Sequence, residues 1–495
     1  LFISFLFLVA MQGMENISPL SIKWIHTSDK FNRDPALYQT AWYFFLNDSW
    51  RFPFGSNPNY GEELGGSIVI ADVIPIMALF FKSLKSFIPD NFQYFSFWFF
   101  ICFYFQLFFS FNILKKFTKS VPYSFVGSFF FLFAPIFIYR LQWHASLAGH
   151  WLLLFALYLG LTQKIDKAKW SWFFLIILAS LINIYLTVII LTVYSALRIF
   201  NFSFDKKNFF KLIKDFFIIS IPLLLTLYIV GYFEMRLVDA LGLGFGVYKM
   251  NLLSIIDPVN IISWSWFLPD IKLSWGEDIE GFNYFGLGQI MMVLFAFALF
   301  LNKNYKTNLF SIKNNKEIKI LLIISIFLIF WALSNKIAFG SYTLVEIPLN
   351  KYVYGALSIF KGTGRMFYIV SYFLLILSIL IIFKCFNKKK SLLIITSFLI
   401  IQIADTSAGI KYRINILEPI STEIRLKDQI WEDLFKKYKI LKTTYPINYT
   451  TLFWDFSYFM EKYNIEKTNI VALSRTKRKA AAEIRYYTYD NFRKK

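Results

Sequence analysis

The sequence predicts an α-helical protein that crosses a membrane many times and ends in a small α/β region. Of its 495 residues, 57% are hydrophobic and 21% are aromatic, which is more apolar than a soluble domain needs. Apolar runs recur at roughly the 20-residue length that a membrane-spanning helix requires. Between these runs, lysine and arginine concentrate in short connectors. These three observations define a polytopic, all-α membrane protein.

The apolar runs set the order of the predicted helices. The run that opens the chain, at 1–13, is too short for a complete span, and we expect it to be the second half of one. Further runs approach or reach spanning length at 94–114, 121–139, 145–162, 216–233, 284–301, 318–334, 366–383 and 391–404.

The formal charge is +21. Its lysines and arginines lie in short connectors, which is typical of a membrane-topology signal and not of a nucleic-acid-binding surface. No nucleic acid partner is therefore expected. Short loops rich in Lys and Arg stay cytoplasmic and contact anionic lipid head groups. Following the chain on this rule gives about eleven crossings, with the amino terminus inside and the carboxyl terminus outside. All long polar segments then share the outer face, beginning with the first outer loop at 14–93.

Two apolar segments need their own interpretation. Segment 68–88 contains Asp72 and two lysines, and counting it as a crossing would invert the remaining topology. It is therefore predicted to lie across the outer surface as an interfacial or re-entrant helix. Segment 170–200 is flanked by basic residues on both sides, which favours two short helices at 170–182 and 185–199 over one long helix.

The carboxyl-terminal region differs from the rest. Residues 1–408 form the predicted transmembrane domain, and 409–495 form a polar region on the outside. Its pattern of helix, strand, helix and strand indicates a small α/β domain, which is expected to be incomplete because its last motif ends abruptly. Cys102 and Cys385 lie in or beside apolar segments and provide neither a disulfide framework nor a CxxC metal site.

The first outer loop supplies the first candidate site residues. Asp34 precedes Pro35, which fits the N-cap of a helix. The same carboxylate is well placed to act as a general base on a substrate at the membrane surface, and the two roles are compatible. Glu62 and Asp72 follow in this loop as candidate substrate contacts.

A second candidate group lies in YRLQWHASLAGHW, which contains Arg140, His144 and His150. Contact with a phosphate or a substrate is the functional interpretation, and a structural histidine at a helix end is the alternative. The two histidines are six residues apart. This spacing places them on opposite sides of a regular helix and argues against a two-histidine metal site.

A third group, KGTGRMFY, opens a predicted membrane helix with Lys361 and Arg365. Free N–H groups at a helix start attract phosphate, and arginine adds a bidentate contact. The alternative is an arginine that extends to the membrane interface. The spacing is not that of a Walker motif, which places more residues between its glycines.

A fourth group lies in the outer loop 247–285, where acidic and aromatic residues alternate. Trp264, Glu280 and Tyr284 are its main candidates for contact with a sugar, which presents apolar faces and a rim of hydroxyl groups. An interfacial belt of aromatic residues is the alternative for the tryptophans.

A set of motifs from about Asp34 to Ser407 carries a family resemblance: DPALYQTAWYFF, WRFPFG, YGEELGGSIVIADVIPIMALFFK, QYFSFW, HASLAGHW, MNLLSIIDP, EGFNYFGLG, FKGTGRMFY and IQIADTS. Together they resemble a family of bacterial inner-membrane proteins without an assigned reaction. The many helices, the long acidic first outer loop and the outer carboxyl-terminal domain resemble the GT-C glycosyltransferases.

The GT-C resemblance implies an inverting enzyme at the outer face of the bacterial inner (cytoplasmic) membrane. Its donor would be a sugar on polyprenyl phosphate, and its acceptor a cell-envelope glycan or a lipid outside the cytoplasm. Asp34 would be the catalytic base. The departing phosphate would be held by Arg365, Lys361, His144 and Arg140. Sugar or acceptor would be contacted by Asp72, Glu62, His150, Glu280, Tyr284 and Trp264.

The resemblance leaves several points open. The acidic pair of the GT-C enzymes is replaced here by Arg33 and Asp34, so no metal ligands are assigned, and a divalent metal stays an alternative. A transporter or flippase for lipid-linked glycans is an alternative function, as is a polymerase or ligase of surface polysaccharide. Partners other than membrane lipid, donor and acceptor, and the oligomeric state, are not predicted.

Overall fold

The computed structural model describes most of the chain, and helices dominate it. The described residues are 1–22, 24–26, 34–61, 64–141, 143–202, 206–234, 244–417, 426–443, 447–448 and 451–477, with a few isolated positions after that.

The α-helices are labelled here in chain order. They are α1 (Phe2–Gln12), α2 (Met14–Ile17), α3 (Asp34–Asn47), α4 (Pro75–Ser83), α5 (Phe95–Thr118), α6 (Val121–Leu132), α7 (Pro135–Arg140), α8 (Trp151–Thr162), α9 (Lys169–Ser180), α10 (Ile184–Phe200), α11 (Lys206–Val230), α12 (Leu287–Leu301), α13 (Phe310–Lys313), α14 (Lys316–Leu333), α15 (Lys351–Leu357), α16 (Tyr368–Cys385), α17 (Lys388–Leu417), α18 (Gln429–Lys437) and α19 (Thr451–Lys462).

Short strands form three small pairs in the described part of the chain. They are β1 (Lys336–Phe339), β2 (Tyr342–Glu346), β3 (Ile440–Leu441), β4 (Ile447–Asn448), β5 (Lys467–Thr468) and β6 (Ile470–Val471). Strands β1 and β2 form an antiparallel hairpin, which the sequence analysis did not predict. Strand β3 pairs with β5, and β4 with β6, both in parallel. The order of helix, strand, helix and strand expected for the tail is present.

Apolar helices of spanning length support the membrane assignment. Within the described residues, five segments are long and apolar enough to cross a membrane by length and composition: Phe95–Thr118, Ala145–Thr162, Phe209–Val230, Thr363–Cys385 and Lys388–Asn415. Shorter apolar helices of 10–17 residues accompany them, among them α1, α6 and α12. The chain therefore has the build of a helical membrane protein.

The two segments that needed separate interpretation are short helices. Helix α4 has 9 residues and begins at Pro75, whose fixed φ suits a first helical position. At about 1.5 Å per residue it is too short to cross a bilayer. The predicted break in 170–200 is confirmed, because α9 ends at Ser180 and α10 begins at Ile184. Asn183 starts α10 as its N-cap, with its side-chain oxygen accepting the backbone N–H of Tyr185.

Helix packing brings distant parts of the chain to one place. Helix α5 packs against α6 and α8, and α16 packs against α5 and α8. Helix α7 contacts the 3₁₀ turn Ala145–Ala148, while α14 and α10 contact the 3₁₀ turn Thr363–Phe367. Arg140 ends α7, His144 directly precedes the first turn and Arg365 lies in the second, so this packing brings the three residues together.

The tail packs on the segment that was predicted to be the first outer loop. Tyr60 forms a parallel bridge with Thr468, and the Gly61 N–H donates to the Thr468 carbonyl at 2.9 Å. The Tyr60 hydroxyl accepts the N–H of Ala472 at 3.0 Å. These contacts join β5 and β6 to the loop that holds α3 and α4.

The two asparagine caps of α10 and α14 allow a matched test of stability. Asn315 caps α14 through Ile318 N–H at 2.9 Å, so Asn315→Ala should cost about 1 kcal/mol. Asn183 also donates to the Ser146 hydroxyl at 2.8 Å, so Asn183→Ala should cost about 2 kcal/mol. Unfolding of both variants in detergent would measure the difference. Equal losses would show that the bond to Ser146 contributes nothing.

Candidate active site

Six residues from different parts of the chain meet in one ionic cluster. Asp34 begins α3, Asp72 lies just before α4, and Arg140 ends α7. His144 precedes the 3₁₀ turn Ala145–Ala148. The remaining members are Glu280, in the loop before α12, and Arg365, in the 3₁₀ turn before α16.

His144 lies at the centre of the carboxylates. Its Nδ1 is 3.6 Å from Asp34 Oδ2 and 3.9 Å from Asp72 Oδ2. Its Nε2 is 2.9 Å from Glu280 Oε1. The backbone N–H of His144 also donates to Asp34 Oδ2 at 3.3 Å. One imidazole ring therefore links the two aspartates to the third carboxylate.

Glu280 pairs with two arginines as well as with His144. Arg365 donates from Nε to Oε2 at 2.9 Å and from Nη2 to Oε1 at 2.6 Å, which is a bidentate contact. Arg140 donates from Nη2 to Oε2 at 3.0 Å. The sequence analysis assigned Glu280 to a sugar, but the structure places it as counter-ion to the two arginines that were assigned to a phosphate.

The cluster has a largely buried side, its floor, formed by Arg140, Glu280 and Arg365, and a more exposed side, its mouth, formed by Asp34, Asp72 and His144. The Arg140 side chain is fully buried, and the side chains of Glu280 and Arg365 are 10% and 12% exposed. The Asp34, Asp72 and His144 side chains are 17%, 20% and 32% exposed. A ligand would therefore meet the aspartates and His144 first.

Two residues at the mouth have left-handed backbone conformations. Asp72 has φ 58° and His144 has φ 64°. Asp, Asn and His adopt this region more readily than most residues, but it costs about 1–3 kcal/mol where the fold enforces it. The backbone thus directs both side chains into the cluster at a cost in stability.

A second layer of polar residues fixes the mouth. The Ser146 backbone N–H donates to Asp72 Oδ1 at 3.3 Å, and the Ser146 hydroxyl also donates to that oxygen. Asn183 donates to the Ser146 hydroxyl in turn. The Tyr185 hydroxyl accepts the N–H of Gly362 at 3.1 Å, while the Arg365 guanidinium lies 4.4 Å from the Tyr185 ring centre. Sequence reasoning missed these residues; their only signal was that Asn183 and Tyr185 interrupt an apolar run.

The floor has aromatic support. Arg140 Nε donates to the Tyr368 hydroxyl at 2.9 Å, and its guanidinium lies 4.6 Å from the Tyr139 ring centre. His150 lies behind this layer, with its ring centre 4.6 Å from that of Tyr368. Its Nδ1 is 2.6 Å from the Tyr372 hydroxyl. His150 therefore supports the floor and is fully buried.

Burial changes the acidity of the two aspartates. It raises the pKa of Asp34 above the ordinary value of 3.8, although the His144 ring and its N–H act in the opposite direction. Burial likewise raises the pKa of Asp72 above 3.8, against the opposing effects of His144 and Ser146. A raised pKa makes each carboxylate a better proton acceptor.

For Glu280 and His144, the neighbouring charges affect the pKa more than burial does. Burial alone would raise the pKa of Glu280, but Arg365, Arg140 and His144 hold it well below its ordinary value. Burial alone would lower the pKa of His144, but Glu280 and Asp34 raise it above 6.5. Glu280 thus stays an anion, and His144 favours the imidazolium form.

Other residues singled out from the sequence lie elsewhere or act differently. Tyr284 donates to Asp405 Oδ2 at 2.6 Å, and Trp264 is buried against Gly409 and Phe282. Lys361 lies 5.8 Å from the ring centre of Tyr248. Glu62 falls outside the described residues. Asp34 was expected at the N-cap, and it is instead the first residue of α3.

The donor atoms do not form a metal centre in the described part of the chain. No group of three or more His, Cys, Asp and Glu side chains is placed there to hold a metal ion. The Glu280 oxygens are already paired with guanidinium groups.

Apolar helices of spanning length together with a largely buried ionic cluster define a helical protein of membrane type. Over residues 1–407 the chain matches a domain of unknown function, DUF6311, and it belongs to that family. No curated protein matches the chain.

The pairing around Glu280 predicts a large stability effect. Glu280→Ala should destabilise the protein by about 3–5 kcal/mol, because it leaves the buried Arg140 and Arg365 without their carboxylate. Glu346→Ala is the matched control, since Glu346 pairs with Lys336 and both side chains are well exposed. The control should cost no more than about 1 kcal/mol. Thermal unfolding in detergent would compare them, and similar losses would contradict the structural role of Glu280.

Proposed function

We propose that the cluster is the active site of a membrane glycosyltransferase that uses a sugar linked to polyprenyl phosphate. The observation that carries the proposal is the contact of two proton-accepting aspartates with a pair of arginines through His144 and Glu280. Such a site offers a base for a hydroxyl group and cations for a phosphate.

The reaction divides between the two halves of the cluster. Asp34 accepts the proton as the acceptor O–H bond breaks. The acceptor oxygen bonds to the anomeric carbon of the sugar from the face opposite the phosphate. The bond from that carbon to the phosphate oxygen breaks, and its electron pair leaves with the lipid phosphate. Inversion at the anomeric carbon follows from this single displacement.

The cations stabilise the leaving phosphate. Arg365 makes a bidentate contact with Glu280, and phosphate offers a guanidinium the same geometry. In the proposed reaction the phosphate takes up contacts with Arg365 and protonated His144, while Arg140 keeps Glu280 paired. Preorganised cations of this kind are usually a large part of catalysis where negative charge develops.

The wider architecture of the proposal is that of the GT-C enzymes. It comprises about eleven crossings, a transmembrane domain at 1–408 and an extracytoplasmic domain at 409–495. The active face is the outer face of a bacterial inner membrane. The acceptor is a cell-envelope glycan or lipid. The helical fold and the packing of the tail on the first outer loop support this arrangement.

Replacing Asp34 tests the base. Asp34→Asn should lower sugar transfer by about 10²–10⁴-fold, because the amide cannot accept the proton. Purified protein would be assayed with polyprenyl phosphates carrying glucose, galactose, mannose or arabinose, with release of polyprenyl phosphate as the readout. Asp270→Asn, at an exposed position, is the control and should retain activity. Equal rates in both variants would exclude Asp34 as the base.

The pKa shifts predict a bell-shaped pH profile. The base must be ionised, so kcat/KM should rise with pH through a pKa above the 3.8 of an ordinary aspartate. His144 must be protonated to hold the phosphate, so kcat/KM should fall at high pH through a pKa above 6.5. His144→Asn tolerates the left-handed backbone. It should remove the alkaline limb and move the acid limb to higher pH, because the His144 ring lowers the pKa of Asp34. An unchanged alkaline limb in this variant would rule out the phosphate contact by His144.

A further inference from the structure

An exposed aromatic surface lies at the carboxyl-terminal end of α11. Trp50, Phe52 and Phe54 follow α3 in the chain, and Tyr228 lies in the last turn of α11. The four side chains are between 45% and 58% exposed. We propose that this surface, the aromatic patch, inserts into the interface of a lipid bilayer. Its role is independent of the reaction at the ionic cluster.

Ring contacts join the four residues of the aromatic patch. The ring centre of Phe54 is 6.0 Å from that of Trp50 and 6.0 Å from that of Phe52. The ring centre of Phe52 is 5.4 Å from that of Tyr228. Because edge contacts between aromatic rings are favourable, the patch forms one surface before it meets any partner.

The backbone fixes the aromatic patch at the end of α11. The Phe54 N–H donates to the Ile229 carbonyl at 2.8 Å, one of the carbonyls that a helix end leaves without an intrahelical partner. A Cβ at Gly55 would collide with the Val230 carbonyl oxygen, so glycine allows this close approach. The patch therefore lies at the depth of the last turn of α11.

Helix α11 places this depth at a membrane interface. Its segment Phe209–Val230 has 22 residues and is long and apolar enough to cross a membrane. At about 1.5 Å per residue it measures about 33 Å, close to the roughly 30 Å of a bilayer core. Few of its residues are buried, and Leu224 and Leu225 are exposed beside Tyr228. Lipid that covers α11 is therefore continuous with the aromatic patch.

The composition of the patch is typical of a membrane interface. Trp and Tyr side chains collect at the level of lipid head groups, and an arginine there extends its guanidinium towards water and phosphate. Arg51 lies between Trp50 and Phe52, and its exposed side chain pairs with Asp48 at 3.1 Å. A second copy of the chain would also cover apolar rings, but the continuity with α11 favours lipid.

The mouth of the ionic cluster lies near the same end of α11. The hydroxyl of Tyr232, just beyond α11, donates to the Ser180 carbonyl at 3.3 Å. Burial raises the pKa of Tyr232, and the charge of Asp72 raises it further. Since charges act strongly only over short distances, Asp72 is close to this end. The aromatic patch therefore anchors the side of the protein on which the mouth opens.

Spin labels on the full chain in phosphatidylcholine nanodiscs test the insertion. Both native cysteines are buried, so each label is attached to one introduced cysteine. Trp50→Cys and Phe52→Cys report on the patch, and Leu224→Cys reports on the exposed surface of α11. Lys437→Cys, at an exposed position of α18, is the aqueous control. Collisions with O₂, which dissolves in lipid, are compared with collisions with a water-soluble nickel chelate.

Both patch labels should have a ratio of O₂ to nickel collisions above that of the Lys437 label and no higher than that of the Leu224 label. A measurement on the parent chain avoids any effect of the substitutions on folding. Brief oxidation by hydroxyl radicals in nanodiscs should modify Trp50 several-fold more slowly than Tyr438. These two side chains are 49% and 52% exposed in the protein.

Three results would overturn the proposal. Patch labels with the collision ratio of the Lys437 label would show that the patch faces water. Patch labels that collide little with either reagent would show that a second copy or another protein covers the patch. Oxidation of Trp50 as fast as that of Tyr438 would show that lipid does not protect it.

Discussion

The contact of Glu280 with Arg140, Arg365 and His144 is the constraint on which the site depends. An arginine buried among apolar helices is costly unless a carboxylate accompanies it, and Arg140 is fully buried. Glu280 meets that need and at the same time fixes Arg365 and the His144 ring. The positions of the two aspartates follow, because His144 holds both of them through its other ring nitrogen and its backbone N–H. One carboxylate therefore determines the geometry of five other charged or ionisable groups.

The carboxylates of the cluster differ in pKa because their surroundings differ. Glu280 is surrounded by cations and has a lowered pKa, so it remains a fixed anion. Asp34 and Asp72 are buried with fewer cations and have raised pKa values, so they can exchange a proton. Carboxylates with pKa values pushed apart in one site are typical of acid and base catalysis. The left-handed backbone at Asp72 and His144 fits the same view, because strained conformations concentrate where geometry serves chemistry.

The sequence predicted the helical class and the break before α10, because apolar run length and flanking charge report directly on these features. It also predicted that 68–88 does not form a membrane-spanning helix, and α4 in this segment is short. It also singled out Asp34, Asp72, Arg140, His144, Glu280 and Arg365 as candidates. It did not predict how they pair, since contacts between residues more than 70 positions apart leave no periodic signal. For this reason Glu280 was assigned to a sugar, and Ser146 and Tyr368 were not singled out. Trp264 and Tyr284 were predicted to contact a ligand, because a single sequence does not distinguish a buried aromatic residue from an exposed one.

The distance in sequence between Arg140 and Glu280 has a consequence for how the protein is made. The two residues are 140 positions apart, which takes a ribosome about 7–28 s at about 5–20 residues per second. During that interval the Arg140 guanidinium lacks the carboxylate that pairs with it in the folded protein, and burying a charge without its partner is costly. Arg365 follows another 85 positions later. The buried pair at the end of α7 can therefore form only after the loop with Glu280 has been synthesised, so the charged site is completed late in synthesis.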